Sequence, residues 1–334
     1  MKKKIFIILL VLFIVLTMSF GVWAAKVIRL GHTLPADTGI YQPGALRFKE
    51  LVEERTNGEI EVMIYPQSQL GWEFDMLEGM QLGTIDMCIS ASGAFVAFVP
   101  ELGLLEFPFL FKNTDHIHWF FYESEAKKEL IKNADPESKG FKILALGGGG
   151  FRFPWTDKSI NKPSDFKGLK IRLMAVPLHR DTYLSMGADV TSVAWAELYG
   201  ALQMGVVDGA EGTYSNCLSM AFQEVTDWIN ELPVFTGADF LIMSKLTYDS
   251  LTPEQQKIVE EAGVEAWKYH DEVIVQMEKE SKEKILQYGI KINEDINLQP
   301  FIDAVQPVYK KYLADYPEWA ADMVKNIQEE GKKF

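Results

Sequence analysis

Cysteine is scarce in this sequence. The only two among 334 residues, Cys88 and Cys217, each lie in an apolar segment, and their spacing matches neither a metal-ligand pattern nor a redox motif. We therefore expect two buried free thiols. A disulfide between them is the alternative.

Positive charge is also in deficit. The chain has 33 lysines and arginines against 47 aspartates and glutamates, a formal net charge of -14. Nucleic acids and anionic membrane surfaces need a basic face on their partner, so neither is an expected partner. A few locally placed arginines could still bind a small anion.

Long apolar runs are absent beyond the amino-terminal segment. Residues 1–24 combine three lysines, an apolar stretch and small residues, which are the three zones of a secretory signal peptide. We expect cleavage after Ala24 and a periplasmic protein; an uncleaved anchor is the alternative. No later segment is long and apolar enough to cross a bilayer.

Internal repeats, low-complexity tracts and flexible Gly/Ser linkers are absent as well. The roughly 310 residues after the leader exceed what one hydrophobic core usually supports, so two domains are expected. Without a linker between them, these domains should be two lobes joined by several short crossings.

Apolar periodicity predicts alternating strands and helices. A strand at residues 26–33, a helix at 41–56 and a strand at 59–65 form a strand-helix-strand order typical of a right-handed parallel unit. A helix at 72–82 and a strand at 83–90 follow. Further on, we expect a helix at 195–204 and a strand at 206–211, so the pattern indicates an α/β fold.

Four consecutive glycines, residues 147–150, follow a predicted strand at 142–146. A glycine-rich loop suggests a phosphate cradle, but no Gly-Lys-Ser/Thr ending follows, so nucleotide binding is not expected. We interpret the run as a crossing between lobes, where glycine tolerates the backbone changes of opening and closing.

A long helix is predicted near the carboxyl terminus. Thr252 is a helix cap, Pro253 takes the first helical position and Gln255 stands three residues after the cap. A charged amphipathic pattern continues to about residue 288, which at about 1.5 Å per residue gives roughly 50 Å. Such a helix could span both lobes; a coiled-coil dimer helix is the alternative.

The most informative stretch begins with K-P-S-D-F-K-G-L-K-I-R at residues 162–172. Pro163 and Gly168 bracket a turn that leads into a short strand, and Arg172 stands near the strand's carboxyl end. In open α/β sheets this end faces the ligand crevice, where a guanidinium can bind a carboxylate through two hydrogen bonds. An internal salt bridge or a surface position is the alternative.

This stretch and the motif that follows it resemble the solute-binding proteins of tripartite ATP-independent periplasmic (TRAP) transporters, the DctP family. The run G-A-D-V-T-S-V-A-W-A-E-L-Y-G-A-L-Q-M-G-V-V-D-G-A-E carries the family signature at Gly187, Ala188, Trp195, Glu197, Tyr199, Ala201, Leu202, Gln203, Gly205, Val207, Asp208, Gly209 and Glu211.

The resemblance implies a two-lobed, periplasmic-binding-protein-like α/β fold with a long lobe-bridging helix. Lobe I would comprise residues 25–149 and about 238–275, and lobe II residues 150–237 and about 276–334, with the ligand cleft between them. The implied partners are a small organic acid and the small and large permease subunits. The protein would be a monomer and not an enzyme, with no cofactor and no metal.

The resemblance also implies the site residues. Arg172 would pair with the ligand carboxylate, and Arg152 matches a second ligand-facing arginine, although the following Phe153-Pro154-Trp155 departs from the commonest family pattern. The other residues expected in the cleft are His32, Gln69, Glu73, Ser92, Trp195, Glu211 and Phe235.

One departure affects specificity. Many relatives have Asn-Pro where this chain has Gly212-Thr213, so a polar ligand contact is expected to have moved to Thr213, Tyr214 or Asn216. The ligand itself stays open among C4-dicarboxylates, sugar acids, keto acids, amino-acid-like acids and aromatic acids.

Two competing functions remain. The first is a secreted enzyme acting on an organic acid through Glu73, Glu211 and His32; no nucleophile elbow, metal-ligand pair or cofactor motif accompanies these residues. The second is a ligand-binding protein that serves a sensor kinase or an ATP-driven importer.

Overall fold

The computed structural model describes residues 25–334, so the predicted leader, residues 1–24, lies outside the described residues. The strands are β1 Lys26–Gly31, β2 Ile60–Tyr65, β3 Met87–Ala91, β4 Phe141–Thr156, β5 Lys170–Leu173, β6 Asp189–Ser192, β7 Gly209–Gly212, β8 Trp228–Asn230, β9 Phe235–Ser244 and β10 Lys291–Asn293. The helices are α1 Tyr41–Arg55, α2 Glu73–Leu82, α3 Ser92–Phe95, α4 Thr114–Tyr122, α5 Glu125–Ala134, α6 Pro177–Ser185, α7 Leu198–Gln203, α8 Tyr214–Ser219, α9 Lys245–Asp249, α10 Pro253–Gln287, α11 Gln299–Ala304, α12 Gln306–Leu313 and α13 Glu318–Gly331.

The strands follow the order β2-β1-β3-β9-β4-β7-β5-β6, and β8 pairs with β4 and β10. β1 and β2 pair in parallel, as the strand-helix-strand pattern predicts. β9 runs antiparallel to both β3 and β4, and β4 runs antiparallel to β7. The fold is the predicted two-lobed α/β architecture, in which β4 belongs to the sheets of both halves.

The glycine run belongs to β4. It lies in the middle of that 16-residue strand, and the pairing with β9 shifts register between Gly148 and Phe151. A Cβ at Gly147 would lie 2.6 Å from Asp271 Oδ1 and 2.7 Å from Trp267 Cδ1. The glycines therefore lie in an extended strand rather than a loop, shortly before β4 changes from pairing with β9 to pairing with β7, and they let a helix pack directly on it.

That helix is α10, the predicted long helix. Thr252 Oγ1 accepts a hydrogen bond from Gln255 N at 3.2 Å, and the Gln255 side chain accepts from Thr252 N at 3.1 Å, which confirms the predicted cap. α10 packs against α1, β4 and α8, and so contacts elements of both halves. The lobe-bridging interpretation is confirmed, because α10 contacts elements of both halves and its buried residues, among them Val259, Trp267 and Ile274, pack within this chain.

The apolar residues form one core on each side of the cleft and a larger one that extends between them. Ile28, Phe48 and Trp267 belong to the first, and Trp155 and Phe222 to the second. Cys88 and Cys217 are both buried and unbonded to each other, which confirms the free-thiol prediction. Across residues 25–334, no helix combines the length and hydropathy required to cross a membrane.

Three predicted boundaries were wrong. The strand expected at 83–90 starts at Met87, because Gly83 ends α2 in a left-handed conformation (φ 75°) and the next two amides still bond to Gly79 O. The helix expected at 195–204 begins as a 3-10 turn, so α7 starts only at Leu198. The strand expected at 206–211 is β7, from Gly209 to Gly212.

Candidate ligand-binding cleft

A cavity of about 360 Å³ lies at the carboxyl ends of four parallel-paired strands, β1, β3, β5 and β6. Sheets of this kind bind ligands at that end, because the loops after the strands converge there. The lining residues are Thr33, Leu34, Tyr41, Trp72, Glu73, Phe74, Ala91, Gly93, Ala94, Arg152, Arg172, Leu173, Met174, Ala175, Ser192, Val193, Ala194, Trp195 and Asn216.

Arg172, on β5, contributes a buried cation to this cavity. Its side chain is held from one side, because Nε donates a hydrogen bond to Val193 O at 2.8 Å and the guanidinium carbon lies 5.4 Å from the centre of the Trp195 ring. Nη1 is buried and has no hydrogen-bond partner among the described residues. Burial lowers the pKa of Arg172 to about 10, so the group stays charged at neutral pH.

Arg152, on β4, also lines the cavity but has an internal partner. Its guanidinium forms a two-pronged ion pair with Glu211 of β7, with Nη2 2.7 Å from Oε1 and Nε bonded to Oε2. Although burial acts to raise it, the Arg152 charge holds the pKa of Glu211 below its usual value. The pair is neutral as a unit, and Arg172 is left as the cation without a paired carboxylate.

Two further carboxyl groups lie on the opposite side. Glu73 lines the cavity and accepts a hydrogen bond from Ala91 N at 2.9 Å, and burial raises its pKa to about 7. Asp239 accepts from the Tyr41 hydroxyl at 2.7 Å, and burial raises its pKa to about 6. Both carboxyl groups therefore gain or lose a proton near neutral pH.

Thr213, Tyr214 and Asn216, the three residues expected to offer a polar ligand contact, differ in their surroundings. Asn216 lines the cavity, and its buried Oδ1 has no hydrogen-bond partner within residues 25–334. Thr213 Oγ1 instead accepts from Asn216 N at 3.2 Å, and the Tyr214 hydroxyl donates to Glu231 at 2.6 Å. Of the three side chains, that of Asn216 is the one without an internal partner.

The neighbouring Gly212 cannot carry a side chain in this packing. A Cβ there would lie 2.5 Å from Cη2 of Trp155, whose fully buried ring fills that space. A side chain at position 212 and the indole ring of Trp155 would thus occupy the same volume.

Of the expected cleft residues, Arg152, Arg172, Glu73, Trp195 and Asn216 line the main cavity. Ser92 lines a small adjoining cavity of about 30 Å³ that shares Arg152 and Asn216 with it. Glu211 and Tyr214 are buried behind this wall and act on it through Arg152 and α8.

The other three expected residues do not line the main cavity. His32 is fully buried, with Nε2 2.8 Å from Gln42 Oε1. Gln69 is exposed in its turn. Phe235 stacks on the buried ring of His179, with the ring centres 3.8 Å apart. Each stands close in sequence to a strand end, but its side chain faces a neighbour or solvent.

Several lining residues were missed from the sequence: Leu34, Tyr41, Trp72, Phe74 and Met174. Trp72 and Phe74 flank Glu73 at the start of α2, and this pair of aromatic residues around an expected cleft carboxylate is the sequence signal that could have identified them. Met174 lies two residues beyond Arg172. A Cβ at Gly93 would lie 2.4 Å from Met174 Cε, so the two walls of the cavity nearly touch there.

A cleft at the strand ends of two lobes, with a buried arginine facing it, defines a solute-binding protein. The family model described as bacterial extracellular solute-binding protein, family 7 (DctP) matches residues 30–315, and the chain belongs to this family.

Individual relatives agree. The chain is 29% identical over 308 residues to the 2,3-diketo-L-gulonate-binding periplasmic protein of Escherichia coli, covering 92% of each chain. A TRAP solute-binding protein from a Sulfitobacter species with bound β-D-galacturonate is 33% identical, with a TM-score of 0.85 over 90% of this chain and 99% of that one. The Chromohalobacter salexigens protein with bound D-glucuronate is 28% identical, with a TM-score of 0.86 over 90% and 99%.

The resemblance inferred from the sequence is thereby confirmed. The chain is a TRAP-type solute-binding protein, and its family and its structural neighbours are transport proteins.

Proposed function

We propose that the cleft captures a sugar acid with one carboxylate, of the hexuronate class, and presents it to a membrane permease. One observation carries this proposal: Arg172 is 4% exposed, faces the cavity, and its Nη1 has no hydrogen-bond partner in residues 25–334. A buried cation without a counter-charge is costly, and a ligand carboxylate would supply that charge through charge-assisted hydrogen bonds.

The charges around the cavity favour a single carboxylate. Arg152 and Glu211 neutralise each other, so Arg172 is the one uncompensated cation among the charged groups described above. A second ligand carboxylate would meet Glu73, which already ionises with difficulty because it is buried. Bringing another anion beside it adds repulsion, so a dicarboxylate should bind less well than the corresponding monocarboxylate.

The remaining walls suit a hydroxylated carbon skeleton. Glu73 and Asn216 offer polar atoms for hydroxyl groups, and the rings of Trp72, Phe74 and Trp195 offer flat apolar faces for C–H groups. The relatives support this class, since their ligands are 2,3-diketo-L-gulonate, β-D-galacturonate and D-glucuronate. The cavity volume of about 360 Å³ lies at the small end of ligand pockets.

Closure of the two lobes would enclose the ligand. We assign residues 25–149 and about 238–275 to lobe I, and 150–237 and about 276–334 to lobe II. Glu73 then belongs to lobe I and Arg172 to lobe II, so a ligand that contacts both favours the closed form. The small and large permease subunits would bind that closed form in preference to the open one. We place the protein in the periplasm, as a monomer, after removal of residues 1–24.

Titration calorimetry on the protein from Ala25 onward tests the ligand class. D-galacturonate, galactarate and D-galactose share one carbon skeleton and carry one, two and no carboxylates. We expect D-galacturonate to bind, galactarate to bind at least about tenfold more weakly because of the repulsion from Glu73, and D-galactose not to bind.

Arg172→Gln tests the anchor. It removes the charge, and we expect affinity to fall by roughly 30-fold or more, because truncating one member of a buried charge pair costs about 2–5 kcal/mol. Arg180→Gln is the control, since Arg180 is exposed on α6 and outside the cavity. Equal affinity in Arg172→Gln and wild type would refute the anchor, and stronger binding of galactarate would refute the charge count.

A further inference from the structure

The short helix that carries Asn216 begins against the bridging helix. Glu278, on α10, reaches the first turn of α8 with both carboxylate oxygens. Oε2 accepts a hydrogen bond from Tyr214 N at 2.9 Å, and Oε1 accepts from Ser215 N at 3.0 Å and from the Ser215 hydroxyl.

These contacts complete the amino-terminal end of α8. The first amides of a helix have no partner within the helix and need an outside acceptor. Glu278 satisfies those of Tyr214 and Ser215, and Thr213 Oγ1 satisfies that of Asn216 at 3.2 Å. A carboxylate at this end is also favoured by the helix dipole.

A second link lies one turn further along α10. Lys282 Nζ is 2.6 Å from Glu231 Oε1, and the same oxygen accepts from the Tyr214 hydroxyl at 2.6 Å. Two α10 residues four positions apart therefore hold α8: Glu278 bonds to its backbone, and Lys282 is linked through Glu231 to the Tyr214 hydroxyl.

We propose that Glu278 is a positioning residue of the ligand site, which fixes the first turn of α8 and thereby places the Asn216 side chain in the cavity. Glu278 lies outside the cavity lining and acts through α8. The part of this inference that concerns ligand affinity rests on the proposed function. The part that concerns the start of α8 does not.

The packing around Gly212 explains why such a device matters in this chain. Trp155 excludes a side chain at position 212, and the side chain of this segment that lines the cavity is that of Asn216, four residues later and on a helix of only six residues. A helix this short has little stability of its own. Its orientation must come from tertiary contacts, and Glu278 supplies the contacts to its backbone.

Glu278→Gln is the diagnostic substitution. It keeps the size of the side chain, but one carboxylate oxygen becomes an NH₂ group that faces an N–H donor. In hydrogen-exchange mass spectrometry of the ligand-free protein, we expect exchange of peptides covering 213–217 to rise about tenfold, because a charge-assisted hydrogen bond is worth about 1.5–3 kcal/mol. Peptides from β1 should not change.

A double-mutant cycle with D-galacturonate as the probe tests the effect on the site. Glu278→Gln and Asn216→Ala should each weaken binding, and the double variant should be no weaker than Asn216→Ala alone, since Glu278 acts through Asn216. Glu283→Gln, at an exposed position of α10, is the control. Glu278→Asp, which retains the charge but shortens the reach, should resemble Glu278→Gln.

The outcomes separate the two proposals. Unchanged exchange at 213–217 in Glu278→Gln would overturn the positioning role whether or not any sugar acid binds. Additive losses in the cycle would also overturn it, because they would show that Glu278 affects binding independently of Asn216. Raised exchange in a protein that binds none of the sugar acids would support the link to α8 and count against the proposed ligand.

Discussion

Glu73→Gln should flatten the dependence of stability on pH. Glu73 is 8% exposed, and burial raises its pKa to about 7 from an ordinary value of 4.5. Because the folded pKa is the higher one, the folded state holds its proton over a pH range in which the unfolded chain has lost it. Stability from this group is therefore greatest at low pH and falls as pH rises from about 4.5 to about 7.

The size of the effect follows from the two pKa values. A difference between about 7 and 4.5 corresponds to about 3 kcal/mol, and most of it is expressed between about pH 5 and pH 8. Glutamine does not titrate, yet its carbonyl can still accept the hydrogen bond from Ala91 N. Between those two pH values, the variant should lose about 2–3 kcal/mol less unfolding free energy than the wild type.

Urea unfolding of the ligand-free protein at several pH values measures this difference. Asp239 titrates in both proteins, so the comparison isolates Glu73 and its coupling to Asp239. Glu78→Gln, at an exposed position of α2, controls for loss of a surface charge. Parallel pH profiles for wild type and Glu73→Gln would refute the reasoning, as would an equal flattening in Glu78→Gln.

Two further predictions concern the packing of α10 against β4 and the contact between the two walls of the cavity. Asp271 accepts hydrogen bonds from the Tyr122 hydroxyl and from Gly148 N. Asp271→Asn should therefore lower the unfolding free energy by about 1–3 kcal/mol, and adding Tyr122→Phe should lower it little further. Urea unfolding of the single and double variants measures this, and additive losses would contradict it. Gly93→Ala should weaken sugar-acid binding, because the added methyl group would press against Met174 Cε. Adding Met174→Ala should restore the affinity measured by calorimetry. If it does not, the two cavity walls do not meet at this point.

Local pattern predicted much of the fold. Periodicity and caps identified the parallel pair β1 and β2 and the start of α10, since these depend on residues close in sequence. It failed for the glycine run, which suggested a loop. Glycine tolerates many backbone conformations and does not itself specify one. The strand forms there because pairing with β9 and packing against α10 require an extended backbone.

The site was less accessible from sequence. Arg172 could be placed because it ends a short strand in a recognisable motif, and Glu73 because it begins a helix after a turn. His32 and Phe235 occupy similar positions in sequence, but each turns towards another side chain, Gln42 and His179 respectively. The direction in which a side chain near a strand end points depends on which neighbouring side chains it packs against, and that is determined by the tertiary structure.

The two cavity arginines also differ in a way that depends on tertiary structure, and this difference predicts different effects of removing them. Arg152 and Glu211 lie 59 residues apart in sequence and meet because β4 and β7 pair antiparallel, with Pro154 opposite Glu211. That register gives Arg152 a permanent counter-charge, whereas Arg172 has only Val193 O and the Trp195 ring. Removing Arg152 would strand a buried carboxylate and damage the fold itself. Arg172 forms no ion pair with a carboxylate of the described residues, so its loss should appear mainly in ligand affinity.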